Sequence, residues 1–313
     1  MSKFLHTLSD AKGLFELIGD EKNLRPAIVE KDYWIMHCLW GLQQSGLQFE
    51  MKGGTSLSKG WCIIERFSED IDIRFDAPAQ LNTKGDRPSH IEARFAFYDD
   101  LAKRIKIPGI IVERNREYDD PKAQNGGINL KYESCFPAVP ELRKEVLLEV
   151  GFDKTAPNEP CDFSSWALDR ALDAKIAVIN NRALGVKCFN PEYTFVDKLQ
   201  TICRRFRQHR ERNDPEKDKP RHFLRHYYDL YMLLGVKRVR EFIGTAEYES
   251  YKKQKLRTTD AKEFGTRDAF TLKNAGTYEL FDREFEVMSI MLMPPRPKFS
   301  EIIKRIREQA PDF

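Results

Sequence analysis

One short stretch limits the possible folds of this chain more than any other. It reads KGGTSLSKG at 52–60 and, eight residues further on, EDIDIRFD at 69–76. In its second part apolar and polar residues alternate, which is typical of a half-buried β-strand, so Asp70 and Asp72 project from one face while the isoleucines enter the core. The stretch therefore supplies a tight glycine turn and a strand that carries two carboxylates on one face.

The glycine turn has the chemistry of a phosphate site. Gly53 and Gly54 lack Cβ atoms, which lets backbone N–H groups approach a phosphate closely. Thr55 and Ser56 add hydroxyl donors, and a helix that begins there directs a partial positive charge at the same point. The order of residues does not match a P-loop, because Lys59 precedes a glycine instead of following one. A phosphate cradle and a purely structural turn are both consistent with these residues.

The carboxylate pair indicates a metal ion. Two like charges on one strand face are costly unless a cation lies between them. Mg²⁺, or Mn²⁺ in its place, held by two carboxylates and by triphosphate oxygens is the common solution. The alternative is an exposed edge strand that tolerates Asp70 and Asp72. Taken with the glycine turn, the pair favours a site for a metal ion and a nucleoside triphosphate (NTP).

The periodicity of the whole chain predicts an α+β protein with two lobes. We expect an N-terminal lobe with a mixed sheet over 1–189 and a C-terminal helical lobe over 190–313, where Pro191 begins a helix. The predicted strands are 47–53, 70–76, 109–118, 127–134, 144–153 and one or two more within 174–189. The predicted helices of the first lobe are 8–19, 25–44, 55–64 and 90–106. The pattern predicts no regular element at 154–166.

Composition places the chain among soluble globular proteins. Its 313 residues are 41% hydrophobic and 32% charged, and no apolar run approaches the length of a membrane span. The N-terminus shows no signal-peptide pattern, and the six cysteines are scattered without a C-x-x-C motif. We therefore expect a cytoplasmic protein with reduced thiols and no membrane partner.

One region is strongly basic although the net charge of the chain is only +3. Residues 198–226 contain ten Lys or Arg and four Asp or Glu. Such a patch suggests a polyanionic partner, and a solvated basic helix face is the alternative. The candidate contacts to a nucleic acid are Arg204, Arg205, Arg207 and Arg210.

These residues carry a family resemblance. The glycine turn followed by the D-x-D strand resembles the signature of the nucleotidyltransferase superfamily, and more narrowly that of the AbiEii/AbiGii toxins of bacterial toxin–antitoxin and abortive-infection systems. Three further stretches resemble motifs of that family and occur in the same order: VEKDYWIMHCL at 29–39, FVDKLQTI at 195–202 and RHYYDLYMLL at 225–234. The resemblance runs from about residue 29 to residue 234.

The resemblance implies an activity. It implies a toxin that transfers a nucleotide from an NTP to RNA in a metal-dependent reaction, with the 3′ acceptor end of tRNA as the expected acceptor. It also implies a separately encoded antitoxin as a partner. Two other functions stay open: a nucleotidyltransferase that modifies a hydroxyl of a protein or small molecule, and an inactive binding module, which fits the intact glycine and aspartate motifs poorly.

The resemblance also assigns roles to residues. A third carboxylate usually completes such a site, and Glu149 is the candidate because Leu148 and Val150 would face the core, with Glu145 as its competitor. The implied catalytic residues are Asp70, Asp72, Glu149, Lys198 and Asp229, and the implied metal ligands are Asp70, Asp72 and Glu149. The implied nucleotide-binding residues are Lys52, Gly53, Gly54, Thr55, Ser56 and Lys198.

Two of these roles have plain structural alternatives. Lys198 would bind nucleotide phosphates as a point charge, or it would form a surface pair with the adjacent Asp197. Asp229 would be the functional aspartate of a helical motif, or it would form an i,i+4 salt bridge with Arg225.

Overall fold

The computed structural model describes residues 2–139, 142–152, 155–211, 220–256 and 258–313. Contacts between residues divide the chain into two compact units. The first unit comprises Met1–Trp61 and Phe67–Phe189, and the second comprises Cys62–Arg66 and Asn190–Phe313. The chain thus enters the second unit for five residues between the glycine turn and the D-x-D strand.

A seven-stranded mixed sheet forms the centre of the first unit. Its strands are β1 (Phe49–Lys52), β2 (Asp70–Phe75), β3 (Ile111–Asn115), β4 (Asn125–Lys131), β5 (Val146–Gly151), β6 (Asn158–Phe163) and β7 (Ala183–Phe189). Their spatial order is β3-β4-β5-β2-β1-β7-β6. β2 pairs with β5 and β1 with β7 in parallel, and the other four pairings are antiparallel. The predicted mixed sheet is confirmed.

The D-x-D strand occupies the middle of this sheet and alternates as predicted. Ile71 and Ile73 are fully buried, while Asp70 and Asp72 are half-buried on the opposite face. β5 is apolar on both faces except at Glu149, as expected for a central strand covered on both sides. The α-helices of the described part of this unit are α1 (Ala11–Lys22), α2 (Pro26–Gln44), α3 (Gly53–Thr55), α4 (Pro88–Arg104) and α5 (Trp166–Asp173).

The prediction of no regular structure at 154–166 is wrong for the described residues. β6 forms there beside β7 and is an edge strand of the sheet in the part of the chain that the structure describes. Pro160, which argues against a central strand, is tolerated because an edge strand leaves one row of backbone groups unpaired. α5 was also missed, although Ser165 caps it by accepting a hydrogen bond from the backbone N–H of Leu168.

The predicted helix at 55–64 is displaced. The helical turn α3 begins at the glycines, continues as a π-helical turn over Ser56–Gly60, and ends there. The next residues, Cys62–Arg66, do not continue the helix and belong to the second unit.

The second unit is helical, as predicted. Its helices are α6 (Pro191–Glu211), α7 (Arg221–Leu233), α8 (Lys237–Phe242), α9 (Ala246–Lys255), α10 (Thr258–Thr266), α11 (Asp268–Thr271), α12 (Ala275–Met288) and α13 (Phe299–Gln309). α7 packs against α6, α12 and α13, with Tyr227 and Leu230 fully buried. Among the described residues, no helix combines the length and apolar character needed to cross a bilayer. The six cysteines all lie in the described part of the chain and form no disulfide.

Candidate functional site

The glycine turn and the D-x-D strand meet at one residue. Gly53 follows the last residue of β1 with a φ of 78°, in the left-handed region that favours glycine. A Cβ atom at Gly53 would lie 1.9 Å from Oδ2 of Asp72. Glycine is therefore required twice at this position, once for the backbone angle and once for the space that the Asp72 carboxylate fills. The left-handed conformation belongs to Gly53, and Gly54 continues into α3.

The two hydroxyl groups after the glycines are used inside the turn. Oγ1 of Thr55 donates to the backbone carbonyl of Asp70 at 2.5 Å, and Oγ of Ser56 donates to the carbonyl of Gly53 at 3.0 Å. Both side chains are buried. Thr55 thus joins the helical turn to the start of β2, and its role and that of Ser56 as phosphate donors stay predictions.

Strand register places a third carboxylate beside the pair. Lys52 of β1 is the register partner of Asp72, and Asp72 is the partner of Glu149 in β5. Glu145 precedes β5 and has no place in this register. The structure therefore brings Asp72 and Glu149 together on adjacent parallel strands, while the role of Glu149 as a metal ligand or base stays a prediction.

The electrostatics of this carboxylate cluster show an excess of negative charge. The charge of Asp72 raises the pKa of Glu149 to about 8, with further contributions from burial and from the charge of Asp70. Lys52 acts in the opposite direction but does not offset them. Carboxyl groups this close cannot all ionise cheaply without a cation.

A cation of the protein itself lies at the cluster. Nε of Arg143 is 3.6 Å from Oδ1 of Asp70, and its guanidinium packs over the ring of Tyr118 and donates to the Tyr118 hydroxyl. The backbone N–H of Arg143 donates to Oε2 of Glu69 at 2.9 Å. The buried ammonium of Lys31 donates to the same carboxylate oxygen at 3.1 Å and to the Arg143 carbonyl at 2.5 Å.

Sequence reasoning missed Lys31, Glu69 and Arg143 as parts of the site. A signal existed in VEKDYW, where three consecutive charged residues interrupt a helix that is otherwise apolar. These three charged residues, Glu30, Lys31 and Asp32, are buried in α2, and each has a partner. Glu30 accepts hydrogen bonds from 134–135, and Asp32 accepts from the backbone N–H of Trp166. Buried charges are retained when they are paired, so such a run marks a network.

Lys59, near the end of the glycine stretch, pairs with one of these buried charges of α2. Its ammonium pairs with Asp32 at 2.6 Å and lies 4.0 Å from the centroid of the Trp166 ring. The lysine therefore ties the turn to α2 and α5 instead of facing a phosphate.

The fit of a divalent cation can be judged from these donors. Among the described residues, no group of three or more His, Cys, Asp or Glu side chains is arranged to hold a metal ion. The role of Asp70, Asp72 and Glu149 as a set of metal ligands stays a prediction. The two aspartates, which offer oxygen donors beside a cradle that a Cβ would fill, suit Mg²⁺ held in part by substrate phosphates.

The second unit holds a different cluster around Asp229. Arg66 donates to this carboxylate through Nε at 2.6 Å and Nη2 at 2.9 Å, and Nζ of Lys198 lies 2.7 Å from Oδ2. Burial would raise the pKa of Asp229, but the charges of Arg66 and Lys198 outweigh it and hold the pKa well below its usual value. Asp229 is fully buried, so its carboxylate positions two cations instead of facing solvent.

This cluster excludes both structural alternatives. Asp197 pairs with Lys255 and accepts from the Tyr251 hydroxyl, so Lys198 is not half of a surface pair with its neighbour. Asp229 pairs with Arg66 and Lys198, and the exposed Arg225 is not the partner that the i,i+4 spacing suggested. Arg66 had no signal in the sequence, because the residue lies far from both partners along the chain.

The basic patch is smaller than its composition suggests. Arg207 pairs with Asp260 and Glu211, and Arg210 pairs with Glu263. Asp260 and Glu263 are buried acids of α10. Arg204 and Arg205 are exposed, whereas 212–219, which contribute several of the predicted charges, lie outside the described residues.

The mixed sheet, with a glycine turn packed against one aspartate of a D-x-D strand and a third carboxylate in register, defines a nucleotidyltransferase-type protein. The family model described as "Nucleotidyl transferase AbiEii toxin, Type IV TA system" matches residues 34–308, and the chain belongs to this family. The resemblance found in the sequence is thereby confirmed. No curated protein matches the chain in sequence.

Proposed function

We propose that the protein transfers a nucleoside monophosphate from an NTP to RNA in a reaction that needs Mg²⁺ or Mn²⁺, with the 3′ acceptor end of tRNA as the acceptor. Family membership supports nucleotidyl transfer by a toxin of a toxin–antitoxin system, and hence an antitoxin as a partner. The metal, the acceptor and a cytoplasmic place of action are our own extensions.

The observation that carries the proposal is the contact between Gly53 and Asp72. It joins a backbone turn suited to phosphate with a carboxylate suited to a divalent cation, within one van der Waals distance. A structural turn would need the positive φ of Gly53 but would not need a carboxylate packed against it. The pKa of Glu149, raised to about 8 chiefly by the charge of Asp72, supports a place for a further cation at this cluster.

The proposed step is a displacement at phosphorus. The acceptor hydroxyl oxygen forms a bond to the α-phosphorus, and the bond from that phosphorus to the oxygen bridging the β-phosphate breaks. Pyrophosphate leaves with the electron pair of that bond, and the hydroxyl proton passes to Glu149. A divalent cation, when bound, supplies charge that stabilises the triphosphate and the leaving group.

In this proposal the residues of the chain bind the triphosphate and the cation and orient them for the reaction. The backbone at Gly53 and Gly54, with Lys52 beside it, holds phosphate oxygens, and Asp70 and Asp72 provide the cation ligands. Lys198, which Asp229 holds in place within the second unit, is proposed as a further phosphate ligand.

The identity of the acceptor depends on the basic patch of α6. Arg207 and Arg210 are neutralised by acids of α10, which weakens the argument from the basic patch. This observation favours the second candidate, a hydroxyl of a protein or small molecule, and the experiment must separate the two.

Transfer of label decides between them. The protein is incubated with each NTP labelled at the α-phosphate, with Mg²⁺, total RNA and a cell lysate, and with EDTA in a parallel control. Label in tRNA supports the proposal, whereas label in protein or in a small molecule supports the second candidate. Absence of transfer with every NTP, or transfer undiminished by EDTA, contradicts a metal-dependent nucleotidyltransferase.

A further inference from the structure

A pocket of about 330 Å³ adjoins the carboxylate cluster in the first unit. Lys31, Tyr132, Phe136, Leu142, Arg143 and Lys144 are among the residues that line it. Its volume is at the lower end of the range for small-ligand sites. The pocket and the cluster share one residue, because Arg143 lines the pocket while its guanidinium faces Asp70.

Two basic residues of this pocket, Lys31 and Arg143, are held by hydrogen bonds. Lys31 and Glu69 both bond the backbone of Arg143, through its carbonyl and its N–H, and Glu69 also accepts from Lys31. This arrangement uses the charge of Glu69 within the protein. Lys144 follows Arg143 directly and is exposed. Three basic residues, Lys31, Arg143 and Lys144, therefore line the pocket, and the adjoining carboxylate of Glu69 already has partners.

The rest of the wall is apolar or aromatic. Tyr132 stacks on Trp34 with ring centroids 5.0 Å apart, which fixes the orientation of its ring. Phe136 and Leu142 add apolar surface. Basic groups beside a fixed aromatic wall are the combination that binds a nucleotide, since phosphate pairs with the former and a base packs on the latter.

We propose that this pocket binds a nucleotide bearing a phosphate, and specifically the terminal nucleotide of the acceptor RNA. The inference rests on the proposed function for the identity of the acceptor. The glycine turn already accounts for the triphosphate of the NTP, and the pocket lies one side chain away from Asp70. The NTP could supply the same chemistry, so the test has separate arms for the two sources.

The test measures binding, with two variants that change the pocket in different ways. Ala138→Trp fills it from an exposed lining position, and Lys144→Gln removes a charge. Ala138→Ser and Lys103→Gln, at an exposed lysine of α4, are the matched controls. The probes are a fluorescent single-stranded RNA pentamer and a fluorescent NTP with Mg²⁺, each titrated by anisotropy, and circular dichroism checks folding.

We expect both pocket variants to weaken RNA binding roughly fivefold or more, with the NTP affinity and both controls unchanged. Weaker NTP binding with RNA binding unchanged would place the NTP base in the pocket and overturn the assignment to the acceptor. Unchanged affinity for both probes in folded variants would overturn the nucleotide site itself. Because the readout is binding, a wild-type protein without transfer activity would contradict the proposed function and leave this test intact.

Discussion

The carboxylate cluster of the first unit and the ion-pair cluster of the second unit contain three principal charged groups each but balance them differently. Asp70, Asp72 and Glu149 share negative charge, which raises the pKa of Glu149 to about 8. Arg66, Lys198 and Asp229 instead pair opposite charges at 2.6–2.9 Å, and the pKa of Asp229 is lowered.

The first cluster is suited to binding a cation, whereas the second stabilises the fold. A group of like charges that is half-buried stabilises nothing by itself, and it becomes favourable only when a cation binds. A buried set of opposite charges is satisfied within the protein, and removing one member leaves the others without compensation. Substitutions in the first cluster should therefore change binding and activity, whereas those in the second should change stability first.

The largest expected effect is that of Asp72→Asn on transfer activity. Loss of this carboxylate should lower activity at least about a hundredfold, because charge stabilisation of a triphosphate is worth several kcal/mol. The melting temperature should stay the same or rise, since like-charge repulsion is relieved. Asp76→Asn, at an exposed aspartate just after β2, is the control and should retain activity. An active Asp72→Asn enzyme would remove Asp72 from the site.

Asp229→Asn should instead destabilise the protein. The free energy of unfolding, from urea titration, should fall by about 3–5 kcal/mol because two buried cations lose their counter-charge. Asp197→Asn breaks a more exposed pair with Lys255 and should cost less than about 1 kcal/mol. Equal effects of the two substitutions would show that the ion-pair cluster does not stabilise the second unit.

The two clusters should also respond to pH with opposite signs. Glu149 has a folded pKa of about 8, above its ordinary value near 4.5, so the metal-free protein loses stability as the pH rises between those values. Asp229 has a lowered pKa, so its contribution is present at neutral pH and is lost as the pH falls below about 3.8. Melting temperatures in EDTA from pH 5 to 8 should fall less in Glu149→Gln than in the wild type. If the melting temperature falls equally in both proteins, repulsion between Glu149 and the aspartates does not destabilise the fold.

Gly53→Ala tests the contact between the turn and Asp72. The positive φ alone should cost about 1–2 kcal/mol, and the added Cβ should displace the carboxylate and lower metal-dependent activity. Gly185→Ala is the matched control, because its φ is 64° and nothing lies within 4 Å of an added Cβ. Gly53→Ala should lose at least as much stability as Gly185→Ala in thermal unfolding, but only Gly53→Ala should lose activity. Equal activity would mean that the turn is only structural.

The smallest effect concerns the basic patch of α6. Arg204→Gln with Arg205→Gln should flatten the salt dependence of log tRNA affinity by roughly 0.7–0.9 for each phosphate that these arginines neutralise. Arg207→Gln with Arg210→Gln should leave that slope nearly unchanged and lower stability instead, since buried Asp260 and Glu263 lose their partners. Binding titrations at two salt concentrations compare the pairs. If neither pair changes the slope, this surface does not bind RNA.

The local sequence pattern was sufficient to predict an element wherever the segment's own residues determine its structure. The period-two alternation of β2 oriented Asp70 and Asp72 correctly, because side chains of a strand alternate regardless of its partners. Pro191 was correctly taken as the start of a helix, since proline suits a first turn. β6 was missed because it contains Pro160, and proline is unfavourable in a strand except at the edge of a sheet. The sequence of one segment does not show whether its strand will lie at an edge.

The sequence by itself determined the glycine turn, the aspartate pair and the family, because these depend on residues close together in the chain. Only the tertiary structure decided which distant charges meet. Strand register placed Glu149 beside Asp72, folding of the second unit joined Arg66 to Asp229, and α10 neutralised Arg207. Ion pairs form between side chains that are neighbours in space, and separation along the chain carries almost no information about such neighbours.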